Sequence, residues 1–142
     1  MAIKLYKADA QTRVHWYPKL ASTTFTFNDL VYIDGDGYLI KAVDGAAITP
    51  IGLIQKTIAA TDTDYASATR VPVLVPGPDA EFELDVTTGT AAQTDVGEWI
   101  DIDDHNSVDV AASTYDIFFV TKFVSATKVI GKMAKKSGAV VG

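Results

Sequence analysis

The chain has 142 residues, 48% of them hydrophobic, and a net charge of −6 at pH 7. That length suits one domain able to bury roughly two-thirds of the surface its unfolded form would expose, and the composition is that of a globular protein, not a disordered one. No apolar run approaches the ~18 residues that span a bilayer, the start Met1–Lys7 lacks the continuous apolar core of a secretory signal, and the absence of cysteine excludes disulfides, thiolate metal sites and cysteine nucleophiles.

Charge is unevenly spread. Residues 1–28 set Lys4, Lys7, Arg13 and Lys19 against Asp9 alone, whereas residues 29–131 carry 17 acids and five bases. Lys132, Lys135 and Lys136 make the end basic again. Basic ends on an acidic body suit docking onto an acidic protein surface or onto an identical neighbour, and they equally serve solubility. The field of the body repels phosphate and no basic stripe interleaves with aromatics there, so nucleic acid is not an expected partner.

Residues 1–20 read as neither strand nor helix and are expected to form an extended N-terminal arm. Tyr6, His15, Trp16 and Tyr17 lie there among Lys4, Lys7 and Arg13. Aromatic and arginine side chains dominate protein–protein hot spots, and an extended arm can add as a strand to a partner's sheet. These seven residues are the candidate contact set. The competing reading has Trp16 and Tyr17 closing one end of a barrel.

From residue 21 to 134 the signals are those of a compact β domain. Thr23–Phe27 alternates polar and aromatic residues. Leu30–Ile33 and Tyr38–Ala42 flank Asp34-Gly35-Asp36-Gly37, turn chemistry that tolerates the positive φ of a tight hairpin. Pro50-Ile51-Gly52 leads a strand expected over 51–58, and Arg70–Val75 forms the next, with Pro72 placing it at an edge or bulge. Glu81–Val86 alternates acid and apolar residue strictly, which predicts Phe82, Leu84 and Val86 in the core and Glu81, Glu83 and Asp85 in water. Segments 99–102, 107–110, 115–123 and 128–133 complete the strands, while 59–69 and 87–96 read as loops. Residues 135–142 are expected to form a flexible tail, with Gly138–Gly142 fraying. No stretch carries a sustained helical stripe with caps, so the expected class is all-β, a small barrel or sandwich with little helix. A weak echo at a 69-residue spacing sets the hairpin around Asp34 against a second one around Asp103. Duplication and two hairpins with similar needs both explain it.

Chemistry-bearing patterns are scarce. No nucleophile elbow, zinc-binding helix, phosphate loop or dinucleotide fingerprint is present, and the expected protein is not an enzyme and holds no cofactor. His105 falls in a predicted turn, where solvent exposure is the ordinary state. Asp34 and Asp36, or Asp101, Asp103, Asp104 and Asn106, offer oxygen ligands of the kind calcium takes, but neither completes an EF-hand loop. A structural turn is the preferred reading, and no metal site is assigned.

The run Asn28–Val31 through Asp34-Gly35-Asp36-Gly37 to Lys41-Ala42, then Pro50-Ile51-Gly52-Leu53, resembles the small head decoration (capsid cement) proteins of tailed bacteriophages, of the β-tulip-like kind. Val73–Val75 and Ala80–Val86 fit the same pattern. The resemblance covers about residues 20–90 and rests on pattern, with no diagnostic motif. It implies a non-enzymatic virion protein, made in the host cytoplasm. Such a protein binds the major capsid protein on the outer surface of an assembled shell, commonly as a homotrimer at threefold or quasi-threefold positions. The alternative is a glycan- or protein-binding β module of a phage head fibre or tail, for which Tyr65 and Tyr115 are the aromatic candidates.

Overall fold

The computed structural model describes residues 2–43 and 49–133. Eleven strands make up the fold: β1 (Ile3–Lys7), β2 (Arg13–Pro18), β3 (Leu30–Ile33), β4 (Leu39–Lys41), β5 (Gly52–Ile54), β6 (Arg70–Val75), β7 (Glu81–Thr88), β8 (Trp99–Asp104), β9 (Ser107–Asp109), β10 (Phe118–Ser125) and β11 (Lys128–Met133). A single 3-10 turn, Gln93–Asp95, is the one helical element among the described residues. The chain is all-β, as its alternation predicts.

Strands β7, β11, β10, β8 and β9 are consecutive neighbours, and β9 pairs back onto β7 with Val86 opposite Val108. This closes a five-stranded barrel. β1 lies antiparallel against the first half of β7, on the side whose second half takes β9. The remaining strands form a second sheet in the order β2-β6-β5-β3-β4. Lys19, just past β2, bridges to Leu39 of β4 and draws one corner of that sheet together.

Two cores follow from the pleat. Phe82, Leu84 and Val86 of β7 point into the barrel with Ile3, Phe118 and Val129, and this core runs on to Leu30 and Leu53 of the second sheet. The opposite face of that sheet buries Val31, Ile54, Val71 and Val73 beneath Phe25 and Ile58. Each fully buried side chain of this size contributes about 1.5–3 kcal/mol.

The expected hairpin forms, with Tyr32 opposite Ile40. Its turn is built by one side chain: Asp34 Oδ1 accepts the N–H groups of Asp36 at 2.9 Å and Tyr38 at 3.0 Å, while Gly37 takes φ +91°. Five expectations are corrected. Residues 1–20 are not an arm: Ile3 and Leu5 alternate inward, so 3–7 and 13–18 pair as strands of the two sheets. Thr23–Phe27 is not a strand, because Ser22 and Asn28 adopt positive φ and only Phe25 bridges, to Ile58. The strand expected over 51–58 stops at Ile54, and the one over 115–123 starts at Phe118. Pro72 is at neither an edge nor a bulge, since β6 lies between β2 and β5. Its carbonyl accepts from Gln55, one residue beyond the end of β5, so the missing donor falls where that ladder stops. The tail over 135–142 lies outside the described residues.

Candidate functional site

The seven candidate residues lie on one continuous ribbon. Lys7 opposes Glu81 and Arg13 opposes Val75 in a single register, so residues 8–12 and 76–80 turn together from one sheet into the other. Asp9 holds that corner. Its carboxylate accepts from Asp79 N at 2.9 Å, Gln11 N at 3.1 Å and Thr12 Oγ1 at 2.8 Å. The backbone N–H of Asp79, above all, lowers the Asp9 pKa from its ordinary value. A Cβ at Gly77 would collide with the Asp9 carboxylate and displace it from this corner.

The ribbon divides the candidates. On β1, Lys4 stands 4.0 Å from Glu83, and the Tyr6 ring takes Lys122 Nζ at 5.4 Å from its centroid. Lys7 is exposed. On β2, Arg13 Nε donates to His15 Nε2, its Nη1 donates to the Gln11 carbonyl at 3.1 Å, and the His15 ring tilts against Tyr17. Val14 and Trp16 point to the other face, 51% and 58% exposed. Tyr17 packs on the second core and Trp16 stands in the open, so neither closes an end of the barrel. Lys19 leaves the basic cluster altogether. It is buried, its Nζ donates to the carbonyls of Tyr65 at 2.9 Å and Ser67 at 2.6 Å, and burial lowers its pKa.

Beside the ribbon, the acids of β7 do not simply face water. Glu83 takes Lys128 Nζ at 2.8 Å, Glu81 accepts from Thr121 Oγ1 at 2.6 Å, and Asp85 accepts from Ala2 N at 2.8 Å. The Lys128 hydrogen bond lowers the Glu83 pKa, and the same bond raises that of Lys128. These partners come from β11, from β10 beyond it and from the residue before β1, so β7 alone could not reveal them.

No protein-family model matches the chain, and no curated protein does. The site is therefore read from its own geometry.

Other polar groups singled out in the sequence serve the fold. Asp101 is buried and accepts the N–H groups of Thr114, Tyr115 and Asp116 at 3.0, 2.8 and 2.8 Å, which pins the loop before β10. Asp103 accepts from the hydroxyls of Thr87 and Thr88. His105 is not simply solvent-exposed. Its Nδ1 meets Oδ1 of the buried Asp29 at 2.7 Å, beside a cleft of about 90 Å³ lined by Thr26, Phe27 and Asn106. Among the described residues no group of three or more His, Asp or Glu is placed to hold a metal ion. Both aromatics proposed for glycans are half-buried, Tyr65 against the second core and Tyr115 against the barrel core.

Residue types alone could have flagged Asp9, since Asp9-Ala10-Gln11-Thr12 is a side-chain-capped turn pattern. Nothing local distinguishes Asp101 from its acidic neighbours.

Proposed function

We propose that this chain is an adhesive structural protein of the capsid-decoration type, which binds the major capsid protein on the outside of an assembled phage shell and stabilises it. The observation that carries the reading is the β2 edge, where Val14 and Trp16 stand more than half exposed beside Arg13 and His15 on a rigid, well-packed sheet. A large aromatic held in the open on a strand gains contact area at little conformational cost when a partner covers it. The resemblance over residues 20–90 favours a shell as that partner. Homotrimers at threefold positions are part of the same proposal.

Stabilisation follows from mass action: a protein that binds only the assembled lattice raises the free energy of disassembly, and many equivalent sites multiply a modest gain per site. The half-buried state of Tyr65 and Tyr115 gives the glycan-module alternative no support.

The test is electron microscopy of purified particles with the chain present and absent, together with co-sedimentation of wild-type and Trp16→Ala protein. Added density on the outer surface and loss of co-sedimentation in the variant are expected. Particles that never acquire the chain would reject the proposal.

A further inference from the structure

We infer that β2 takes up a strand from its partner: an extended segment of alternating acidic and apolar residues adds to its open edge. This deepens the reading of β2 as the adhesive surface and rests on it.

The backbone sets the case. Lys19 N donates to Thr69 O at 3.0 Å within the register that places Trp16 opposite Pro72 and Arg13 opposite Val75. In an antiparallel pair, hydrogen-bonded and non-bonded positions alternate. Arg13, His15 and Tyr17 therefore direct their N–H and C=O groups at β6, whereas Val14 and Trp16 direct theirs outward. β2 ends the order of its sheet, so among the described residues no strand lies beside these outward groups. The Trp16 carbonyl receives only a long 3.5 Å contact from Arg70 Nη1. Pro18 carries no donor and ends the usable edge. Natural proteins usually blunt an edge with charge, proline or a bulge; over 13–17 the register of β2 is unbroken.

The side chains specify the guest. One face offers the apolar pair Val14 and Trp16, and the other offers Arg13 and His15. The molecule already shows what a strand of this kind accepts. Along β1, Lys4 faces Glu83 while Ile3 and Leu5 face Leu84 and Phe82. A basic–apolar strand here pairs with an acid–apolar one. By the same complementarity, the guest of β2 sets apolar residues across Val14 and Trp16 and acids across Arg13 and His15. β1 is a poorer host, since its own side chains are committed to Glu83, Lys122 and the barrel core.

Amide exchange by NMR tests this with two synthetic peptides, Glu-Phe-Glu-Leu-Asp-Val-Thr and a counterpart with lysine at each acidic position. In the free protein the Val14 and Trp16 amides exchange fast while those of His15 and Tyr17 are protected. The acidic peptide binds saturably, slows Val14 and Trp16 by about tenfold or more, and weakens with salt. Val14→Pro removes an outward donor without touching the β6 ladder, keeps the thermal midpoint and loses the peptide. Trp16→Glu, at an exposed position, loses it by charge repulsion.

Failure of the acidic peptide to protect these amides overturns the inference, as does equal binding by the lysine peptide or by Val14→Pro. Self-association of the wild type that Val14→Pro abolishes would assign the edge to a second copy and also overturn it. The two readings fail separately: particles that bind wild type and Val14→Pro alike leave decoration standing and remove strand addition.

Discussion

Nδ1 of His105 and Oδ1 of Asp29 lie 2.7 Å apart, and they fasten the β8–β9 turn of the barrel to the start of β3 in the second sheet. The same two segments share a backbone bond, Leu30 N to His105 O at 2.7 Å, and Asp29 Oδ2 also accepts Thr26 N at 2.8 Å. Asp29 is 3% exposed. Removing its carboxylate strands two donors at a poorly hydrated place, at a cost of about 2 kcal/mol. Asp29→Ala is expected to lose about that much in urea unfolding and His105→Ala about half of it. The double variant should lose less than the sum, because the two residues share one interaction. Singles as stable as wild type would show that the tie does not hold the sheets together.

Asp101 carries a larger share of stability than its place in an acidic run suggests. Three successive backbone N–H groups converge on its carboxylate, and hydrogen bonds to a charged acceptor are the stronger kind. Asp101→Ala is expected to cost about 3 kcal/mol and to raise amide exchange across residues 114–116 first. Asp101→Asn keeps the shape with a weaker acceptor and should lose less. If the exchange of that loop is unchanged in Asp101→Ala, the loop is held by its other contacts.

What the sequence made legible was whatever depends on two-residue alternation or local turn chemistry. Glu81–Val86 could be assigned face by face because every second residue is apolar. Asp34–Gly37 named its hairpin because Asp34 supplies the acceptor and Gly37 the positive φ that the turn needs. Interactions between distant segments stayed hidden. Ile3 and Leu5 give too short an alternation to announce β1, and Pro72 reads as an edge residue until β5 is seen to end beside it. The candidate set was half legible: residue type singled out Trp16, but the open side of β2 depends on its pairing with residues 70–75, far along the chain.

Gly52 explains the glycine of the Pro-x-Gly strand. A Cβ there would penetrate the carbonyl of Leu74 on the neighbouring strand, which is backbone and cannot swing away. Gly52→Ala must push β5 from β6, at the point where both cores meet the second sheet. A loss of about 3 kcal/mol, the upper end for overpacking, is expected, read as a lower urea midpoint and less soluble protein. Gly35→Ala serves as the control, since nothing stands within 4 Å of a Cβ at that turn position. Equal behaviour of the two variants would remove the close-approach explanation.

The ion pairs of the barrel wall contribute to the pH dependence of stability. Glu83 is held below its ordinary value of 4.5, first by the hydrogen bond from Lys128 and then by the charges of Lys128 and Lys4. A lowered carboxyl pKa means that the unfolded chain takes up the proton first as pH falls. The contribution of Glu83 is therefore complete above pH 4.5 and is lost as pH drops through its folded value. Asp9 and Asp64, lowered from 3.8 chiefly by the Asp79 N–H and by Lys56, act in the same direction at slightly lower pH. Lys128 is raised from 10.5, so its contribution is complete below that value and disappears as pH climbs through the folded one. Thermal midpoints are expected to fall at the acid end. At the base end the loss at Lys128 is opposed by Lys19, whose lowered pKa makes the folded chain shed its proton first and adds stability as pH rises toward 10.5. Glu83→Gln should lower stability at neutral pH and flatten the acid fall, and it should shrink the base-side contribution of Lys128, whose largest partner is gone while Asp85 remains. An acid limb in Glu83→Gln as steep as that of wild type would place the proton uptake on the other carboxylates and remove Glu83 from the account.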